Sequence, residues 1–205
     1  VESFMGELHG QMEALKQQHL MFLHELGYEK KRKRKRKSQK KSAVDGLEVI
    51  KWGMLNFCRP EAIIKKPELL MKVFEESAHL KSPLSAEAKR LVKEFSHFAD
   101  NAFRTSEPVV KSFERVLVAP APKFNVLNEM LNTGFLEKTI PEFGSIRNRI
   151  QYDEYHLYPV DKHLLRTVQT IKKFGTAKDS SLEPLCEKIY RALKKKKLLL
   201  WAALL

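Results

Sequence analysis

Only one stretch of this sequence reads as strand. In AVDGLEVIKW, residues 43–52, the turn dipeptide Asp45-Gly46 sits among apolar and β-branched residues and predicts a short β-hairpin. Elsewhere apolar side chains recur at steps of three and four, the spacing of a helix that buries one face. Lys, Glu, Leu and Ala are abundant, and only 8 Gly and 9 Pro occur in 205 residues, so helix is favoured over sheet. Apolar residues make up 43% of the chain, enough for a core. The expected fold is all-α, an irregular helical bundle with one short hairpin near 43–52. No 20-to-50-residue repeat is visible, which argues against a solenoid.

The punctuation of the helices is readable. Residues 3–26 place Phe4, Leu8, Met12, Leu15, Phe22 and Leu26 on one helical face, expected to pack into the chain's own core, with a partner-binding helix as the alternative. Gly27 stops that helix. Pro67 opens a helix carrying Leu69, Leu70, Val73 and Phe74. Ser85 is placed to cap the next, with Leu91, Val92, Phe95 and Phe98 inward, and Ser106 with Pro108 begins another bearing Val109, Phe113 and Leu117. Pro120 and Pro122 interrupt the chain before a helix over 124–131, which Gly134 ends. Pro141 and Pro159 begin two further segments, the second with Val160, Leu164, Val168 and Ile171 on one face. Ser180 or Ser181 caps 182–193, and a closing helix begins near Lys195.

The formal charge of +13 is concentrated. Residues 30–41 hold ten Lys or Arg and no acid, leaving +3 for all the rest. Lys30, Lys31, Arg32, Lys33, Arg34, Lys35, Arg36 and Lys37 form an unbroken run of like charges, expected as a loop. As an anion patch it would give non-specific affinity, and with no interleaved aromatic residue it lacks a base-stacking platform, so nucleic acid is not the expected partner. Cys58 and Cys186 are isolated thiols without metal spacing, which fits a reducing cytoplasm. The amino end is amphipathic rather than a signal peptide. The apolar tail 198–205 is far shorter than the about 20 residues of a bilayer crossing, so no membrane role is expected and the tail reads as a core helix.

No Walker loop, GxGxxG, HExxH or GxSxG motif is present. His9, His19 and His24 are not spaced to share a metal on one helix, and His79 and His97 read as ordinary surface or core residues. His156 and His163 fall in the densest polar-aromatic stretch, Tyr152-Asp153-Glu154-Tyr155-His156-Leu157-Tyr158-Pro159-Val160-Asp161-Lys162-His163. Imidazole and carboxylate grouped this way can bind a divalent metal or move protons. On the phase of Val160, Leu164 and Val168, His163 sits at the edge of the inward stripe, facing a cleft. Read blandly, the same stretch is a capped helix start with Asp161 near the positive end of the dipole.

At this stretch the sequence resembles a known family. Ile140-Pro141-Glu142-Phe143 followed by 150–163 is similar to the signature of bifunctional PII uridylyltransferase/uridylyl-removing enzymes, whose usual form runs IPEF…MQFDxxHxYTVDEHT. Val1-Glu2-Ser3-Phe4-Met5, the segment Asn128-Glu129-Met130-Leu131-Asn132-Thr133-Gly134-Phe135-Leu136, Leu185-Cys186 and Ala202-Ala203-Leu204-Leu205 add weaker similarity, so the resemblance runs over nearly the whole chain and is strong at 124–174.

The resemblance implies a parent with an amino-terminal nucleotidyltransferase domain, a helical linker, a metal-dependent HD phosphohydrolase domain and two ACT domains that sense glutamine. One half attaches UMP from UTP to a tyrosine of PII signalling protein and the other removes it by hydrolysis with a divalent metal, Mg or Mn. On this layout residues 1–139 are helical linker with the basic loop 30–41. Residues 140–205 are the amino-terminal part of the HD-type domain, stopping one residue before the family's His-Asp dyad. His163 falls on the family's first metal ligand, with His156 and Asp161 as possible supporting groups and no complete catalytic set in the chain. The fragment is expected to be inactive and to hold no tightly bound cofactor. Three departures from the signature stand out: Pro159 for Thr, Lys162 for Glu and Leu164 for Thr. Lys162 is expected to point to solvent.

Overall fold

The computed structural model describes residues 1–26, 42–50, 53–120, 125–151, 158–175 and 184–205. Among the described residues its regular elements are helices, apart from one antiparallel pair of short strands, as the sequence predicts. In order, the elements are α1 (Glu2–Glu25), β1 (Leu47–Val49), β2 (Leu55–Phe57), α2 (Pro60–Lys65), α3 (Leu69–Leu80), α4 (Ala86–Glu94), α5 (Asn101–Thr105), α6 (Glu107–Val118), α7 (Val126–Asn132), α8 (Phe135–Thr139), α9 (Val160–Phe174), α10 (Pro184–Ala192) and α11 (Lys196–Leu204). Short 3-10 helices cover Phe95–Phe98 and Pro141–Ile146.

The core is built around α3, in which Leu69, Leu70, Met71, Val73 and Phe74 are all buried. A helix apolar around most of its girth must be enclosed, and α3 is enclosed by α6, α7 and β2. Phe74 stacks on Phe135 at 5.3 Å between ring centres, and Phe103 meets Phe135 edge-on at 6.2 Å. Such pairs add about 0.5–1.5 kcal/mol each beyond their burial. Phe113 of α6 packs on Trp201 of α11 at 5.2 Å. One continuous apolar cluster therefore reaches from Leu55 and Phe74 through Phe113 and Phe135 to Val168 and Leu204, crossing the expected boundary at 139/140.

The punctuation is where the sequence is most informative. Ser85 Oγ accepts from the amide of Ala88 at 2.9 Å and caps α4. Pro108 lies in the first turn of α6, but the Ser106 hydroxyl turns back to donate to the Phe103 carbonyl and does not cap. Gly134, with φ of 74°, makes the left-handed step between α7 and α8.

Three expectations need correction. The hairpin turn is not Asp45-Gly46, which lies ahead of β1. β1 and β2 pair Leu47 with Phe57 and Val49 with Leu55, so the reversal falls between Val49 and Leu55. The β2 edge continues into the segment before α4, where Leu55 accepts from Ser85 and donates to Pro83, both at 2.9 Å. Second, the apolar stripe of α1 does not enter the core. Phe4, Met12, Leu15, Phe22 and Leu26 are all more than half exposed. The helix instead lies on the body through Gly6 and Gly10, where an added Cβ would come within 2.8 Å of the Asn148 backbone carbonyl oxygen and side-chain Nδ2 respectively. Asn148 itself has φ of 53°. A stripe read from sequence gives the apolar side of a helix but not the side its neighbours occupy. Third, α9 is rotated from its expected phase. Its buried residues are Asp161, Leu165, Val168 and Lys172, while Val160, Leu164 and Ile171 are half-buried flanks. The proposed caps of the 182–193 helix, Ser180 and Ser181, lie outside the described residues.

Candidate functional site

The described end of the signature, residues 158–163, lies at the start of α9. Pro159 fixes the entry: the Val160 amide donates to the Arg149 carbonyl at 2.8 Å, and the His163 amide closes the first helical turn on Pro159 at 2.9 Å. Tyr158, just before the helix, lies under the Arg166 guanidinium at 4.4 Å from ring centre. The helix packs against α11 and α10, and reaches α6 through Lys172.

His163 is exposed. At 100° per residue it lies about 170° from the centre of the buried face formed by Asp161, Leu165, Val168 and Lys172. The ring is therefore neither sealed among leucines nor at the edge of the core stripe, where the expected phase had put it. Its backbone is fixed by the Thr167 hydroxyl, which donates to the His163 carbonyl at 3.1 Å. Among the described residues no three of His, Cys, Asp and Glu come together in a way that could hold a metal ion. His156 and the basic run 30–37 lie outside the described residues. Of the other histidines, His9 meets Asn148 at 3.4 Å, His79 lies beside Glu76, and His97 bonds the Glu94 carbonyl.

Asp161 is only 1% exposed and points away from His163. Its Oδ1 accepts from the Lys162 amide at 2.8 Å in the first turn of α9, where the helix dipole favours a carboxylate. Its Oδ2 has no hydrogen-bond partner among the described residues. Asp161 borders a hollow of about 150 Å³ between α1, α7 and the start of α9, with Glu13, Gln17, Asn132, Arg147 and Lys162 on its walls. Lys162 does not point to solvent. It is half-buried, and its Nζ reaches Asn132 Oδ1 at 3.4 Å. Burial pushes the Glu13 carboxyl up, but the Gln17 hydrogen bond and the charges of Lys162 and Lys16 outweigh this and hold it below the ordinary value. The structure thus brings Asp161 and Lys162 together with α1, and leaves His163 on the other side of α9.

Sequence reasoning missed Lys172. This side chain is buried between α9 and α6, and its ammonium donates to the Val116 carbonyl at 3.2 Å. The helical partner of that carbonyl would be the amide of residue 120, which is a proline and has none. Lys172 therefore fills the place of an absent backbone donor at the end of α6. Burial lowers its pKa from 10.5 to about 8. The signal in sequence was the spacing Asp161, Leu165, Val168, Lys172, a helical face with a polar residue at each end.

Among the described residues no helix is long and apolar enough to cross a membrane. No protein-family model matches the chain, and no solved structure does. Similarity to curated proteins is consistent in kind. The chain is 34% identical over 116 residues to the bifunctional uridylyltransferase/uridylyl-removing enzyme of Methylococcus capsulatus, covering 57% of this chain and 13% of that one. It is 30% identical over 157 residues to the enzyme of the same name from Thiobacillus denitrificans, covering 76% and 18%, and 29% identical over 155 residues to that of Nitrosococcus oceani, covering 74% and 17%. The chain thus spans less than a fifth of the length of these relatives. By sequence it is a homologue of one stretch of the bifunctional uridylyltransferase/uridylyl-removing enzymes.

Proposed function

We propose that this chain serves as the helical segment of a uridylyltransferase/uridylyl-removing enzyme that presents the first imidazole of the uridylyl-removing site, and that His163 is this imidazole. The observation that carries the reading is the signature at 140–163, which ends on an exposed histidine held by a well-packed helix, in a chain whose similarity to these enzymes covers 76% of its length. The parent attaches UMP from UTP to PII protein and removes it, with glutamine sensed elsewhere in the polypeptide. A divalent ion, Mg or Mn, would acidify a bound water and stabilise charge on the phosphoryl oxygens.

The described residues do not make up such a site by themselves. One imidazole leaves most of a coordination sphere to water and holds a metal weakly. The task of this chain is placement: the buried face of α9 fixes the helix, Pro159 fixes its start, and His163 projects outward from its first turn. Asp161 and Lys162 tie the same turn to α1 and α7. In this reading the isolated chain neither transfers UMP nor removes it.

The test is a chimera in which this chain replaces the homologous stretch of the Methylococcus capsulatus enzyme. His163→Ala should abolish release of UMP from uridylylated PII and leave transfer from UTP intact. Release that survives His163→Ala at the parental rate would remove His163 from the chemistry.

A further inference from the structure

The outward side of α9 holds more than the histidine. At 100° per residue His163, Arg166, Thr167 and Thr170 fall within about 100° of one another, on the side opposite the buried face, and no acid of α9 is among them. Arg166 is exposed and stands one turn beyond His163, so the two side chains leave the helix as neighbours, with Cβ atoms about 5–6 Å apart. Its setting differs from that of other arginines in the fold. Arg90, Arg115 and Arg147 each meet a carboxylate, of Glu87, Glu75 and Glu137 respectively. Arg166 pairs with no carboxylate among the described residues, and its guanidinium lies 4.4 Å from the ring centre of Tyr158. A ring holds a guanidinium in place without occupying its N–H donors. The result is a fixed cation beside an exposed imidazole, with its donors open to an anion.

We propose that Arg166 is the phosphoryl contact of the uridylyl-removing site, binding the non-bridging oxygens of the UMP group, with Tyr158 as its positioning residue. The inference rests on the reading of His163 given above and adds an anion contact that a lone imidazole does not supply. The UMP group carries its charge on two non-bridging phosphoryl oxygens, which match the parallel N–H donors of a guanidinium. A donor already held in place stabilises the charge that develops during hydrolysis without reorganising at the moment of reaction. Tyr158 sits two residues ahead of α9 and Arg166 lies in its second turn, so the stack closes across the same helix start that carries His163.

Two readouts test this. In the chimera with the Methylococcus capsulatus enzyme, Arg166→Gln should lower kcat for UMP release about 100-fold or more and leave transfer from UTP at the parental rate. Arg166→Lys should recover part of the loss, because it keeps the charge but not the planar fork. Tyr158→Leu should slow release about tenfold, and Tyr158→Phe should restore it, because either ring can hold the cation. Both side chains are exposed, so circular dichroism of each variant should match the parent. The second readout needs no turnover. Titrating the whole chain with UMP should move the NMR signal of the Arg166 Nε–H, and uridine, which lacks the phosphate, should not. Release lost with His163→Ala but untouched by Arg166→Gln, or an Arg166 signal that UMP moves no more than uridine does, overturns the role of Arg166 and spares that of His163. Release that survives His163→Ala at the parental rate removes the reading of the site and this inference with it.

Discussion

Lys172→Met gives a sharp test of how the α6–α9 contact is built. The wild-type ammonium is buried with the Val116 carbonyl as its hydrogen-bond acceptor. Its pKa falls from 10.5 to about 8 on folding because burial disfavours the charged form. The unfolded chain therefore binds more protons than the folded one between these values, and stability must rise with pH through that window. Below pH 8 the full penalty applies, about 3 kcal/mol at 1.36 kcal/mol per pH unit. Integrated from pH 7 to pH 10, its relief amounts to about 2.5 kcal/mol. Methionine keeps an unbranched apolar stem and removes both the charge and the bond to Val116, whose loss costs about 1–3 kcal/mol at every pH. At pH 7 the two proteins should thus be close in stability, with the variant ahead by at most about 2 kcal/mol. By pH 10 the wild type should have gained on it by about 2.5 kcal/mol. Urea unfolding of both proteins at pH 7, 8.5 and 10 measures this, and taking the difference cancels titrations common to the two. A difference that stays flat with pH, or moves the other way, would show that Lys172 is not a desolvated ammonium.

Further tests address other parts of the fold and the site. Glu129 is buried and holds the start of α4 to α7, accepting from the Leu84 amide at 3.0 Å and from Lys89 at 2.8 Å. Glu129→Ala should cost about 2–4 kcal/mol in chemical denaturation, because it strands a buried amide and a half-buried ammonium. Gly6→Ala should raise the intrinsic helicity of α1 while pushing it off the Asn148 carbonyl, so amide exchange should speed up at 147–150 with little change in global unfolding. His163→Ala should alter stability by no more than about 0.5 kcal/mol, since the ring is exposed, and a large drop in melting temperature would favour a structural role instead.

Features set by local backbone chemistry were legible in the sequence. Ser85, Pro108 and Gly134 act within a few residues of themselves, through a cap, a missing amide and a positive φ, and the structure uses each at a helix boundary. The all-α class followed from the same local signals. Facing was harder to read. Leu164 and Leu165 are the same residue one step apart, and only packing against neighbouring elements, α11 foremost, selects Leu165 for the core, turning His163 outward. The α1 stripe was visible, but its orientation depended on Gly6 and Gly10 meeting Asn148, more than 130 residues away. Lys172 and Asp161 look like surface residues by composition. Their burial is a consequence of Pro120 at the end of one helix and of the helix start at Pro159. For the proposed site, the motif points to His163, whereas the hollow beside Asp161 draws on α1, α7 and α9 and has no sequence signature of its own.

The continuous apolar cluster has a practical meaning for protein engineering. A boundary placed at 139/140 follows the resemblance, yet Leu165, Val168, Leu200 and Leu204 on one side of it are buried with residues from the other. Scissors applied there would strip both pieces of their shared interior, and each would be expected to aggregate. A graft into a relative should move 42–205 as one indivisible cassette, while α1, bolted on through glycine and polar contacts, can be exchanged as a separate part.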